Sequence, residues 1–285
     1  MSAFSNWNGR IIEDEKICIS ANNRSFRYGD GCFETMKVIN ETVLLAELHF
    51  DRLFSSLETL HFTVPQFFTA TYLNTAIKEL VTKNGHTSLA RVRLVVYRGD
   101  GGLYDVENNN VNFIIQSWPG KDASNYFNEL GLVTDFFTDV RITADLFSAI
   151  KSNNYLRYAM AAIHAGKHGL DDCMLVNAFN RVADATIANV FIVTDGIIKT
   201  PALSEGSVNG VMRKHLLECF KKEAIPFAET KISAEELLNA SEVFLTNAIF
   251  GIRWVEKVGN SNYHNSTSSL LHKKFIQPLF SPATF

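Results

Sequence analysis

Two hydrophobic rhythms alternate along the chain. Ala46–Leu60 and Phe68–Lys83 carry apolar residues at helical spacing, and the second run stops at Asn84-Gly85, a helix C-cap signal. Ala90–Arg98 alternates and is rich in Val, which predicts a strand, as does Asn112–Trp118 beyond the Gly-rich loop Gly99–Gly102. Lys16–Ile19 and Cys32–Asn40 also read as strands. From Pro119 to Gly131 the chain turns polar and rich in turn formers, predicting an interdomain linker. A strand near Leu132–Phe137 follows, then a helix through Ala159, Ala162 and Ala165 that ends at Gly166 or Gly169. Short strands are predicted at Cys173–Val176, Arg181–Ala183 and Asn189–Val193, with an Asp195-Gly196 turn into Ile197–Thr200. A helix over Val211–Lys222 comes next, then a capping box at Ser233-Ala234-Glu235-Glu236. Strands at Glu242–Thr246 and Ile252–Val258 and a last helix over Ser268–Leu279 complete the pattern. The result is two α+β lobes, residues 1–120 and 132–285, joined by a linker over 121–131.

Composition narrows the class. At 285 residues the chain suits two lobes, and its 46% hydrophobic and 20% charged residues are ordinary for a globular protein. The 22 Phe promise a large aromatic core. A net charge of −3, with no basic stripe, argues against nucleic acid as a partner. Cys18, Cys32, Cys173 and Cys219 form no Cys-x-x-Cys pair, which excludes a zinc ribbon and a disulfide framework and leaves no metal site to expect. No apolar signal core opens the chain and no stretch reads as a membrane span, so a cytoplasmic protein is the expectation.

Four places carry candidate chemistry. Lys151, in Ala149-Ile150-Lys151-Ser152-Asn153-Asn154-Tyr155-Leu156, stands at the threshold of a helix among apolar residues that favour its neutral, nucleophilic amine. An ordinary lysine there merely solvates a helix entrance. Gly206-Ser207-Val208-Asn209-Gly210-Val211-Met212-Arg213 leads two glycines into an amphipathic helix, a junction attractive to phosphate but neither a Walker loop nor a dinucleotide fingerprint. Arg52 projects from a helix whose other face is Leu53, Leu57 and Leu60, and can fork onto phosphate oxygens or pair with Glu47 or Glu58. Asp184 interrupts an apolar region, where a buried carboxylate needs a cationic or hydrogen-bonded partner.

Taken in order, these pieces resemble the fold-type IV pyridoxal-phosphate enzymes. The matching segments are Tyr28-Gly29-Asp30-Gly31-Cys32-Phe33-Glu34-Thr35, His49-x-x-Arg52-Leu53, Arg98-Gly99-Asp100-Gly101-Gly102, Ile150-Lys151-Ser152-x-Asn154-Tyr155, Asp184-x-Thr186-x-Ala188-Asn189-Val190-Phe191, Asn209-Gly210-Val211-Met212-Arg213 and Phe244-Leu245-Thr246-Asn247-Ala248. The resemblance implies a D-amino-acid-aminotransferase-like, two-domain α+β / α/β fold, with 132–285 as the larger, cofactor-binding domain and a homodimer as the assembly. Residues 27–35 and 99–106 would lie near the shared rim. It implies pyridoxal 5'-phosphate as cofactor, held on Lys151 as a covalent imine (a Schiff base). Arg52 and the backbone amides of Val211 and Met212 would hold the phosphate, with Thr246 or Asn247 approaching it or the substrate. Tyr155 would hydrogen-bond the ring hydroxyl. Asp184 would serve the ring nitrogen, a departure because the family has Glu there, one methylene longer.

Three functions follow from the resemblance. One is 4-amino-4-deoxychorismate lyase, which forms 4-aminobenzoate and pyruvate for folate biosynthesis. In that reading Lys151 removes the ring proton, Thr35 donates a proton to the departing enolpyruvate, and Arg98, Arg27 and Tyr28 are candidates for holding the substrate. The second is an aminotransferase of the branched-chain or D-amino-acid type, although Gly99–Val106 lacks an Arg-x-His clamp and Gly29-Asp30-Gly31 replaces a Gly-Thr-Gly. The third, motivated by Asp184, is an inactive homologue that only binds the cofactor. In the two enzymatic readings the partner is a small molecule bearing an amino group and a carboxylate.

Overall fold

Alternating strands at the start of the chain build a six-stranded sheet. The computed structural model describes residues 4–102, 104 and 107–281; Leu103, Asp105 and Val106 of the expected rim lie outside the described residues. The strands are β1 (Phe4–Trp7), β2 (Arg10–Glu13), β3 (Gly31–Ile39), β4 (Thr42–Val43), β5 (Leu89–Arg98) and β6 (Val111–Pro119), and the helices are α1 (Arg24–Tyr28), α2 (Ala46–Thr59) and α3 (Ala70–Lys83). The order is β2-β1-β6-β5-β3-β4, antiparallel throughout. One face of β3, β5 and β6 (Met36, Val38, Val92, Leu94, Phe113, Ile115) packs on Leu53, Leu57, Leu73, Ile77 and Leu80 of α2 and α3 in one core. Thr69 caps α3 by accepting from Tyr72 N at 3.2 Å, and Gly85 at φ +71° ends it with His86 N donating to Val81 O at 2.9 Å.

The expected strand at Lys16–Ile19 is absent: Asp14–Lys16 form a 3-10 turn and the residues after it are irregular. The hydrogen-bonded edge is β1–β2 instead, in register from Phe4↔Glu13 to Trp7↔Arg10. The positive-φ pair Asn8 and Gly9 turns the chain between them.

The second sheet has nine strands: β7 (Leu132–Ile142), β8 (Asp172–Asn177), β9 (Val182–Ala185), β10 (Asn189–Thr194), β11 (Ile197–Pro201), β12 (Phe227–Thr230), β13 (Glu242–Asn247), β14 (Gly251–Val258) and β15 (Ser261–Asn262). Their order is β12-β11-β10-β13-β14-β7-β8-β9 with β15 on β14, and pairing is parallel at β11–β12, β14–β7 and β7–β8. Helices α4 (Leu156–His168), α5 (Val211–Lys222), α6 (Ala234–Leu238), α7 (Ser266–Leu271) and α8 (Gln277–Phe280) accompany it; a π-helical stretch, His272–Ile276, joins the last two. Gly169, at φ +66°, ends α4, with Leu170 N donating to Ala165 O at 3.0 Å. Phe191 and Phe244 stack at 5.0 Å on neighbouring strands, part of the aromatic core that the Phe count promised.

The chain divides into two units: Met1–Ala123 with Ile150–Asn154, and Ser124–Ala149 with Tyr155–Phe285. Ile150–Asn154, which the sequence reading places in the second domain, belongs with the first because its backbone bonds to β3. No helix among the described residues is long and apolar enough to cross a membrane.

Candidate active site

Lys151 is fixed by strand-like pairing. Phe33 N donates to Lys151 O at 2.9 Å, Asn153 N donates to Gly31 O at 3.0 Å, and Ser152 makes an antiparallel bridge with Cys32. Ile150 sinks into the first core, and Asn153 Nδ2 donates to Val96 O at 3.2 Å. This approach needs glycine at position 31, where φ is +150° and a Cβ would lie 2.2 Å from Val96 O. The Lys151 amine then sits 4.6 Å from the centre of the Phe33 ring, which also carries the Arg93 guanidinium at 4.1 Å. Thr35, half-buried, shares the Phe33 face of β3 by strand alternation and stands opposite Arg93 in register.

On the other face of β3, Glu34 is buried against α2. Arg52 forks onto it, Nε to Oε1 at 2.8 Å and Nη2 to Oε2 at 2.6 Å, and His49 Nδ1 meets Oε2 at 2.6 Å. Burial alone would raise the Glu34 carboxyl, but the Arg52 charge and the His49 hydrogen bond outweigh it and bring it down to about 2. Burial pushes His49 below its ordinary value despite the neighbouring carboxylate. The ring is therefore neutral at neutral pH and donates from Nδ1, while Nε2 has no hydrogen-bond partner among the described residues. Arg52, read from the sequence as a phosphate ligand or a surface ion pair with Glu47 or Glu58, thus has Glu34 as a buried partner. His49 and Glu34 were visible as motif residues, but only β3–α2 packing gives them this role.

The three candidate substrate residues part company. Arg98 is 5% exposed and its donors are engaged: Nε on Asp30 at 3.0 Å, Nη1 on Asn109 Oδ1 at 2.6 Å and His61 O at 3.3 Å, and Nη2 on Leu60 O at 2.6 Å. Its guanidinium also lies 4.1 Å from the Phe62 ring centre, so it ties β5 to the loops at residues 60–62 and 109. Tyr28 ends α1, partly exposed, with its ring on Tyr104 at 5.8 Å, and Arg27 is exposed beside Asn22.

In the second unit a buried carboxylate organises the start of α5. Asp184, on β9, is 2% exposed; Oδ1 accepts from Asn189 Nδ2 at 2.9 Å and Oδ2 from Val208 N at 2.9 Å, with the Tyr158 hydroxyl at 3.5 Å. Burial, then the Asp184 charge, pushes the Tyr158 phenol up. Tyr155 stacks on Tyr158 at 4.2 Å and donates its hydroxyl to Thr186 O at 3.2 Å. Thr186 in turn is gripped by Asp172, which accepts from its backbone N at 2.9 Å and from its hydroxyl; burial raises the Asp172 carboxyl.

Helix α5 opens at Val211 with Gly210 as its N-cap and no side-chain cap, so the Val211 and Met212 amides have no such acceptor. The hydroxyls of Ser207 and Thr246, each 1% exposed, have no hydrogen-bond partner among the described residues. A helix start without a side-chain cap, together with buried hydroxyls that have no partner among the described residues, suits a phosphate ester, and the buried Asp184 suits a protonated ring nitrogen. The residues present therefore fit pyridoxal phosphate. Asn247 is otherwise occupied: Nδ2 donates to Ile187 O at 3.1 Å, and Oδ1 accepts from the backbone of Ile249 and Phe250 at 2.9 and 3.1 Å. Asn189 was visible as a motif residue, whereas Tyr158 and Asp172 lie in none of the motifs and carry no sequence signal.

Residues 31–258 match the family model described as amino-transferase class IV. An aminodeoxychorismate lyase from Vibrio harveyi is 28% identical over 234 residues, covering 81% of this chain and 83% of its own. A D-alanine aminotransferase from Bacillus licheniformis is 26% identical over 260 residues, covering 85% and 83%. Among solved structures, the branched-chain aminotransferase of Thermoproteus uzoniensis with norvaline aligns with TM-score 0.88 at 24% identity, covering 98% of this chain and 95% of that one.

Proposed function

The chain belongs to the class IV amino-transferase family, pyridoxal-phosphate-dependent enzymes, and from that premise we propose that it is a 4-amino-4-deoxychorismate lyase, converting its substrate to 4-aminobenzoate and pyruvate. The observation that carries this reading is the shared face of β3: Phe33 touches the Lys151 amine, and Thr35 is the next residue on that face. An elimination needs a base and an acid in separate hands, and a lysine and a threonine supply them. When bound, the cofactor supplies the electron sink.

Lys151 would hold the cofactor covalently; once the substrate's amino group has displaced it there, its freed amine takes the substrate's ring proton as the C–H bond breaks. Thr35 donates its hydroxyl proton to the departing enolpyruvate as the C–O bond breaks, leaving an aromatic ring. Asp184 would offer its carboxylate to the ring nitrogen, and the Val211 and Met212 amides, with the Ser207 and Thr246 hydroxyls, would receive the phosphate; Arg52 is added to that set by the family resemblance alone. Tyr155 orients the cofactor ring. Arg98 is assigned to structure, since its donors are spent on Asp30, Asn109 and two carbonyls, and Tyr28 and Arg27 remain the substrate-binding candidates. The proposed assembly is a homodimer.

The test begins with purified protein and pyridoxal phosphate. Borohydride should fix the cofactor on Lys151, and a Lys151→Ala variant should not be labelled. The holoenzyme should then release 4-aminobenzoate and pyruvate from aminodeoxychorismate. Faster amino-group transfer from L-leucine, L-glutamate or D-alanine to a 2-oxo acid would overturn the lyase reading in favour of an aminotransferase. Labelling without either reaction would mark a cofactor binder.

A further inference from the structure

Asn189 opens β10, and its side-chain amide is engaged on three sides. Nδ2 donates both to Asp184 Oδ1 at 2.9 Å and to Val208 O at 2.8 Å. Oδ1 is packed on Gly210 so closely that a Cβ there would lie 1.7 Å from it. The backbone of Asn189 pairs across the sheet with Thr246, whose hydroxyl has no hydrogen-bond partner among the described residues. Val208 closes the circuit by donating its N–H to Asp184 Oδ2 at 2.9 Å. Asn189 is 5% exposed, so these contacts face no competing water. One amide therefore bridges the carboxylate and the turn before α5, beside the direct Val208–Asp184 bond.

We propose that Asn189 is a positioning residue that couples the carboxylate serving the cofactor's ring nitrogen to the turn that receives its phosphate. This rests on the cofactor reading above. The short Asp184 side chain makes the coupling consequential: both its oxygens are anchored, one by Asn189 and one by Val208, so any shift of the Gly206–Gly210 turn moves the carboxylate with it. By linkage, filling either end of the pocket stiffens the other.

Asn189→Asp keeps the shape but removes both donated hydrogen bonds, and Asn189→Ala removes the amide altogether. Each variant is titrated with pyridoxal phosphate and, in competition, with inorganic phosphate, while the absorbance of the bound cofactor is recorded. The expected result is about a tenfold or greater loss of affinity for both probes, together with a displaced absorbance maximum. Loss of phosphate affinity with an unmoved spectrum would overturn the coupling, and so would variants that behave as wild type.

If neither variant folds, wild-type hydrogen exchange decides. Pyridoxal, which lacks a phosphate, should slow exchange across residues 206–213. Slowing by phosphate-bearing probes alone would overturn the inference. A wild-type chain that takes up no pyridoxal phosphate overturns the reading and the inference together, whereas the other failures overturn the inference alone.

Discussion

Replacing Glu34 with Gln tests the electrostatics of the first unit. The substitution keeps the side-chain shape but takes the buried anionic partner away from the partly buried Arg52 charge. The Glu34 carboxyl is brought from 4.5 to about 2, and at about 1.4 kcal/mol per pH unit the ionised form contributes about 3 kcal/mol to folding. That agrees with the loss of about 3–5 kcal/mol general for removing one member of a buried pair. Because the folded value is depressed, the contribution is complete above 4.5 and is lost as pH falls towards about 2. Glu34→Gln should therefore lie about 3 kcal/mol below its parent at neutral pH, and the gap should close on acidification as the parent alone loses stability. Urea unfolding followed by tryptophan fluorescence measures this. A Trp254→Phe background removes the second unit's signal, leaving Trp7 and Trp118 in the first. A gap under about 1 kcal/mol at neutral pH, or one that does not change below pH 4.5, would refute the argument.

Arg98→Lys should cost about 3 kcal/mol of stability, because an ammonium cannot serve Asp30, Asn109 and two carbonyls at once, and should leave the KM for aminodeoxychorismate unchanged; a raised KM without destabilisation would restore Arg98 to the substrate site. Thr246→Val removes a buried hydroxyl with no partner among the described residues, so the cofactor-free protein should melt no lower, while pyridoxal-phosphate affinity falls about tenfold in titration. Gly166→Ala on α4, where a Cβ meets nothing within 4 Å, should raise stability by about 0.5–1 kcal/mol in denaturant melts.

The amino-acid order alone determined the parts with short-range causes. Helices α2, α3 and α5 announce themselves by apolar spacing, the Asn84-Gly85 and Gly169 stops by the left-handed backbone that glycine tolerates, and the Ser233 cap by its side chain accepting from Glu236 N at 2.9 Å. Lys151, Asp184 and the glycines before α5 stood out as candidates because their residue types are costly or unusual in those surroundings. Tertiary structure decided what depends on partners distant in the chain. The N-terminal edge formed at β1–β2 rather than Lys16–Ile19 because strand identity is settled by a ladder, not by local composition. Lys151 went with the first unit because β3 offered the Ile150–Asn154 backbone two hydrogen bonds, one on Lys151 O and one from Asn153 N. Arg52 and Arg98 look alike in sequence, as cations beside apolar runs. They differ only because Glu34 meets the first while Asp30, Asn109 and loop carbonyls enclose the second, and a charge buried on folding takes its role from the groups that neutralise it.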